Sequence, residues 1–192
     1  GFVLSGTSEI IGVSRMEPRA RQGLFLVPPD VLESAGGVYL HYGPTQAGGS
    51  SLQWMAKLLG RQVEDVLPAS SALSSVLCRP WWQGERAPYW DHTLTASFEG
   101  LREQHTAEDM VLAVLQGVAL QERVVLEESA WGADVESITL AGGAARNAVW
   151  NQIRANVHQK PVYVLRDTEA SLRGAAILAW NLPGAEGWLD AD

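Results

Sequence analysis

Two short apolar runs, residues 2–4 and 10–13, open the chain with Ser5, Gly6, Thr7 and Ser8 between them, a spacing that predicts a hairpin closed by a glycine turn. Residues 16–37 are rich in Pro, Gly and Arg and predict a loop, with short strands near 24–27 and, beyond Gly36 and Gly37, at 38–41. After Gly48 and Gly49, the residues Leu52, Trp54, Met55, Leu58 and Leu59 recur at helical spacing, and Gly60 supplies a stop. A short helix near 63–67 ends before Pro68, and 76–78 is the next strand candidate. Residues 79–93 have no period but hold Trp81, Trp82, Tyr89 and Trp90. Aromatic side chains of that size are rarely left in water, so this segment is expected to be an ordered loop.

From Thr106 a helix is predicted to about Ser129: Asp109 lies three residues after the threonine cap, and Val111, Val114, Leu115, Val118 and Val125 share one face. The remainder alternates strand 137–141, helix 146–158, strand 162–165 and helix 169–180 opened by Thr168. A β-α-β-α ending implies neighbouring parallel strands covered by helices.

The junction after the 137–141 strand carries Gly142 and Gly143. Without a β-carbon these positions can take positive φ and leave room beside the main chain. The helix that follows offers unpaired N–H groups and the positive end of its dipole, a combination suited to phosphate. A glycine pair after a strand also serves as a plain turn, so the rest of the chain has to decide.

Composition narrows the field. The 192 residues are 46% hydrophobic and 19% charged, the balance of a globular chain, and no stretch is apolar for the ~20 residues of a membrane span. A net charge of −8 argues against a nucleic-acid partner held through phosphate neutralisation. Cys78 is the single cysteine, which rules out an internal disulfide; beside Val76 and Leu77 it is expected to be a buried thiol, and a reducing, cytoplasmic setting fits. The four histidines, His41, His92, His105 and His158, have no metal-ligand spacing, so no protein-held metal is expected. The opening Gly1, Phe2, Val3, Leu4 has the character of mid-strand and suggests a piece of a longer protein.

Four segments, in order, resemble one family. Leu4-Ser5-Gly6-Thr7-Ser8 is similar to a phosphate-binding hairpin, and Gly48-Gly49-Ser50-Ser51-Leu52-Gln53-Trp54 to a glycine-opened helix beside a nucleotide. Gly84-Glu85-Arg86-Ala87-Pro88-Tyr89-Trp90-Asp91 looks like a GER-[AT]-P loop. Gly142-Gly143-Ala144-Ala145-Arg146-Asn147 with Glu169-Ala170-Ser171-Leu172-Arg173-Gly174-Ala175-Ala176 is similar to an adenosine motif and a closing E-A-x-x-x-G-A-A helix. These are the motifs of the FGGY carbohydrate kinases, and the chain resembles the xylulokinase-like and gluconokinase-like members over nearly its whole length.

The resemblance implies an α/β fold of the ribonuclease-H-like, actin-like ATPase type, a mixed β-sheet flanked by helices. Residues 1–192 would be the C-terminal, nucleotide-binding domain, with the sugar-binding N-terminal domain and its catalytic aspartate upstream of Gly1 and no catalytic residue in this chain. Gly6 and Thr7 would bring an N–H and a hydroxyl to the β- and γ-phosphates. Gly49 would lie against the adenine or ribose, with Gln53 one turn later. Gly142 would provide the turn, Gly143 would carry the backbone past the α-phosphate and adenosine, and Asn147 would bond the adenine edge. ATP would arrive with Mg2+ held through phosphate oxygens and water. Arg146 would only solvate its helix, Glu85 and Arg86 would brace the cleft between domains, Tyr89 and Trp90 would pack beneath their loop, and Asp91 would be an ordinary loop carboxylate. Gly174, Ala175 and Ala176 would let the last helix approach the sheet. The sugar would bind through the absent domain, and the oligomeric state stays open, a homodimer included. A non-catalytic nucleotide-binding or regulatory module of the same superfamily is the alternative.

Overall fold

The computed structural model describes residues 1–29, 37–129, 132–166 and 168–180. The predicted hairpin forms: β1 (Phe2–Ser5) and β2 (Glu9–Arg15) pair antiparallel, with Ser5 opposite Glu9 at the closing end. β3 (Phe25–Val27) and β4 (Tyr39–Pro44) extend the antiparallel half, while β7 (Ile138–Ala141) and β8 (Val162–Val164) add the parallel half beside β1. The sheet order is β3-β4-β2-β1-β7-β8, so the hairpin strand β1 sits at the centre and meets both halves. Of the expected strand turns, Gly36 lies outside the described residues.

Helices follow the pattern with local shifts. α1 (Gly49–Leu58) buries Leu52 and Met55 as expected, along with Ser51 and Ala56, and α2 (Val63–Val66) follows. β5 (Leu77–Arg79) does not join the main sheet but pairs with a strand absent from the sequence pattern, β6 (Ser97–Glu99), in a separate ribbon. α3 (Ala107–Glu128) opens on the predicted capping box, with Thr106 accepting from the Asp109 N–H and the Asp109 carboxylate accepting from the Thr106 N–H. Its 22 residues lie between two apolar clusters. One joins Leu52, Met55, Val111, Val114, Leu115, Trp150 and Ile153, and the other joins Val125 and Leu126 to Val3, Ile11, Ile138 and Leu140. Burying each such side chain contributes about 1.5–3 kcal/mol, so this helix fixes where the sheet and α1 stand.

The helix predicted over 146–158 begins two residues late. A 3-10 turn, Gly143–Arg146, comes first, Asn147 caps, and α4 runs Ala148–His158. α5 (Ala170–Trp180) forms where expected, but it has no buried residue, and a methyl added at Gly174 would meet nothing within 4 Å. The expectation that Gly174, Ala175 and Ala176 let this helix approach the sheet is therefore overturned: small residues permit close approach but do not supply an apolar partner.

Candidate functional site

The hairpin tip is built first. The Gly6 N–H donates to the Ser8 carbonyl at 3.1 Å, so it is spent inside the turn and leaves the Thr7 and Ser8 amides and the Thr7 hydroxyl as the tip's donors. α1 locks onto this tip through its own first amides: Gly49 N–H donates to Gly6 O at 2.9 Å and Ser50 N–H to Thr7 O at 3.0 Å. That approach demands a glycine, because a β-carbon at 49 would stand 2.6 Å from the Gly6 oxygen.

Gly142 performs a related task at the other side. At φ 89° it lies against β1, where a β-carbon would come within 2.4 Å of the Ser5 oxygen, and its N–H donates to Thr168 O at 2.7 Å. It is the turn and does not reach the cavity wall. Gly143, by contrast, has nothing within 4 Å of its would-be β-carbon and stands open.

Between the hairpin, α1, α2 and the 143–150 segment lies a cavity of about 660 Å³. Gly6, Thr7, Gly49, Gln53, Gly143 and Asn147 all line it, so every predicted site residue except Gly142 converges on one space. Residues separated by up to 141 positions in sequence meet there only because β1 and β7 are adjacent. A second cavity of about 280 Å³, lined by Thr7, Ser8, Gln46, Ser50, Trp54, Trp82, Gln83 and Arg86, lies on the other side of the same tip. Thr7 belongs to both walls.

Asn147 plays a double part. Its side-chain oxygen accepts from the Trp150 N–H at 2.9 Å, which caps one of the free amides of α4, so the part of its side chain left for a ligand is the Nδ2 amide. Arg146 does not merely solvate its helix: it lines the cavity and reaches Thr168 Oγ1 at 3.2 Å and Glu169 Oε1 at 3.1 Å. Trp150, Leu52, Val63, Glu64 and Leu67 also line the wall, none of them expected from the sequence as a site residue. For Trp150 the signal was present, since it follows Asn147 by three residues and shares its helix face.

Beside the second cavity, Glu85 is 3% exposed, its carboxylate accepts the Gln46 and Arg86 N–H groups, and its backbone bridges Asp91. Burial pushes this carboxyl up, while the Gln46, Arg86 and Ala47 amides and the Arg86 charge oppose the shift. Glu85 thus pins the loop to the turn that precedes α1. Tyr89 and Trp90 are only half-buried, at 45% and 47% exposed: Tyr89 meets Trp81 edge-on and Trp90 meets Phe25 edge-on, while the Trp90 indole donates to the Gly23 carbonyl at 2.7 Å. Trp82 instead stacks on Trp54 at 3.8 Å. Asp91 accepts from Thr93 N and Oγ1, which holds its carboxyl below the usual range in an ordinary turn. Cys78 is buried, and desolvation pushes its thiol up to about 12, the opposite of a nucleophile. Among the described residues no three His, Cys, Asp or Glu side chains are grouped to hold a metal, and no helix is long and apolar enough to cross a membrane.

A model of the "FGGY family of carbohydrate kinases, C-terminal domain" matches residues 1–181. The chain belongs to the FGGY family of carbohydrate kinases. Among curated relatives, a xylulose kinase of Staphylococcus epidermidis is 33% identical over 154 residues, 76% of this chain and 31% of that protein. A gluconokinase of Bacillus licheniformis is 35% identical over 161 residues, 74% of this chain and 31% of that protein. This FGGY chain therefore spans about a third of the length of the curated relatives it matches.

Solved structures agree on the fold. A "xyloylose kinase" of Brucella ovis superposes with a TM-score of 0.77 at 24% identity, over 100% of this chain and 40% of that one. A Plasmodium falciparum glycerol kinase solved with ADP gives 0.75 at 20% identity, over 92% and 37%. The FGGY chain thus has the ribonuclease-H-like, actin-like ATPase fold, with a mixed sheet flanked by helices.

Proposed function

We propose that this chain is the nucleotide side of an ATP-dependent carbohydrate kinase, the C-terminal domain of a longer protein that transfers a γ-phosphoryl group to a hydroxyl of a sugar or polyol, a pentulose or a related sugar. The observation that carries the reading is the convergence of Gly6, Thr7, Gly49, Gln53, Gly143 and Asn147 on one 660 Å³ cavity whose hairpin wall is shared with a second, smaller cavity. The family model and the ADP-containing glycerol kinase support it.

The residues present fit Mg-ATP. Gly143 leaves its side of the cavity open, Asn147 Nδ2 and Gln53 offer amide groups at the wall, and the tip supplies the Thr7 hydroxyl and two amides. Mg-ATP supplies the phosphoryl group and its own cation, which needs no protein cage. What the chain does is hold and orient: the wall seats the base, and the tip keeps the terminal phosphates at the border of the two cavities. Arg86 and Gln83, at the second cavity, stand on the acceptor side of that border. Positioning and charge neutralisation carry phosphoryl transfer, so such a half-site is useful without a base of its own. The base that takes the hydroxyl proton, and most of the residues that recognise the sugar, belong to the N-terminal domain, and closure of the two domains keeps water out.

The test is an ADP-release assay of the full-length protein with ATP, Mg2+ and D-xylulose, D-gluconate or glycerol. Acceptor-dependent ADP release with at least one is expected. Mg-ADP binding without turnover on any acceptor would favour the non-catalytic module.

A further inference from the structure

Below the hairpin lies a cluster of charges that the nucleotide reading does not use. Arg154, Glu9 and Glu122 are all 0% exposed. The guanidinium of Arg154 donates through Nε to Glu122 Oε1 at 2.8 Å, and through Nη2 to Ser5 Oγ at 2.6 Å and Glu9 Oε1 at 3.2 Å. Ser5 Oγ in turn donates to Glu9 Oε1 at 3.0 Å, and His158 Nε2 lies 3.1 Å from Glu122 Oε2. Ser5 and Glu9 are the paired residues from which the Gly6–Thr7–Ser8 tip springs.

We propose that Arg154 is a positioning residue for the phosphate-binding hairpin: from α4 it grips both feet of the tip while its guanidinium stacks, 4.2 Å from the ring centroid, on Trp150 in the wall of the nucleotide cavity. The inference rests on the nucleotide reading of that cavity.

Three observations carry it. Burying an arginine and two carboxylates completely is a poor way to gain stability, since apolar residues of similar size serve as well or better, so the cluster calls for a task other than holding the core together. Its hydrogen bonds end on the two residues flanking the tip and nowhere else on the hairpin. The helix that carries it also carries the adenosine side of the cavity, with Asn147 as its cap and Trp150 three residues on, the Trp150 indole N–H being fixed by the Leu115 carbonyl at 3.1 Å. One rigid helix therefore sets the distance between the base-binding wall and the phosphate-binding tip. Planar guanidinium geometry suits this, because one group addresses Glu122, Ser5 and Glu9, and Asn151 through Nη1 at 3.4 Å, in fixed directions.

Two variants of the 192-residue chain test it. Ser5→Ala removes the hydroxyl that receives the shortest bond, and Arg154→Lys keeps a charge beside Glu122 but has no fork to reach Ser5 and Glu9 together. Amide hydrogen exchange without nucleotide is expected in both to be several-fold faster at Gly6, Gly49 and Ser50, whose N–H groups close and dock the tip, with the α3 amides unchanged. Calorimetry is expected to show Mg-ADP weakened about tenfold and adenosine unchanged. Wild-type exchange at the tip in both variants overturns the clamp, whatever the nucleotide does. Equal losses for Mg-ADP and adenosine overturn it too, as loss of a general structural support. Faster tip exchange in a chain whose wild type binds no Mg-ADP keeps the clamp and rejects the nucleotide reading instead.

Discussion

The Asn147 side-chain oxygen accepts the Trp150 backbone N–H at 2.9 Å, so the residue that offers its amide nitrogen to the cavity also starts the helix that bounds it. In the proposed reading recognition and folding are joined in this one side chain, and they can be separated by choice of substitution. Asn147→Asp keeps the capping acceptor and removes the Nδ2 donors; it is expected to melt like the parent and to bind Mg-ADP more weakly. Asn147→Ala loses both and should lower stability by about 1 kcal/mol as well. Thermal melts beside calorimetry decide the matter, and an Asp variant that binds as tightly as the parent would remove Asn147 from recognition.

Neighbouring glycines predict opposite outcomes. Gly142→Ala forces a β-carbon into positive φ and to within 2.4 Å of the Ser5 oxygen, and is expected to lose about 1–3 kcal/mol in denaturant unfolding. Gly143→Ala meets nothing within 4 Å and should change stability by less than about 0.5 kcal/mol. A methyl at 143 does enter the open wall, so its effect should appear in Mg-ADP affinity. Equal melting of the two variants would contradict these assignments.

The buried charges carry a pH signature. Burial pushes Glu9 well above the usual carboxylate range, with Arg154 opposing and Glu122 adding to the rise. Burial acts to raise Glu122 also, but the Arg154 charge and the His158 bond outweigh it and hold Glu122 low. A raised carboxyl means that the folded state binds the extra proton, so this contribution is full below the unfolded value near 4.5 and is lost as pH rises through the folded value. Stability curves against pH should therefore fall less steeply above pH 4.5 in Glu9→Gln than in the parent. Identical slopes would mean that Glu9 is ionised in the fold.

Much of this was legible beforehand because the signals are local. The hairpin, the capped α3 and the alternating end of the chain follow from periodicity and capping over a few residues, whereas the meeting of the glycines was expected from the family resemblance alone and depends on β1 lying beside β7. What stayed hidden is long-range. Glu9 and Arg154 are 145 residues apart, and a charge beside a turn or in mid-helix has the same signature in sequence whether it is solvated or wholly buried. Arg146 was misjudged for the same reason, since its partners Thr168 and Glu169 lie beyond the next strand. β6 was missed because Ser97–Glu99 is three residues long and pairs only with β5. The exposed α5 shows the limit of composition, because an apolar helix need not be a buried one: none of its residues is buried.

The most direct test of the account is titration of the chain with Mg-ADP by calorimetry, run in parallel on Thr7→Val and Asn147→Asp. One site per chain is expected, weakened in both variants: from the phosphate side in Thr7→Val and from the base side in Asn147→Asp. A well-folded chain that binds no Mg-ADP, or binds it with an affinity that neither substitution changes, would contradict the assignment of this cavity to the nucleotide.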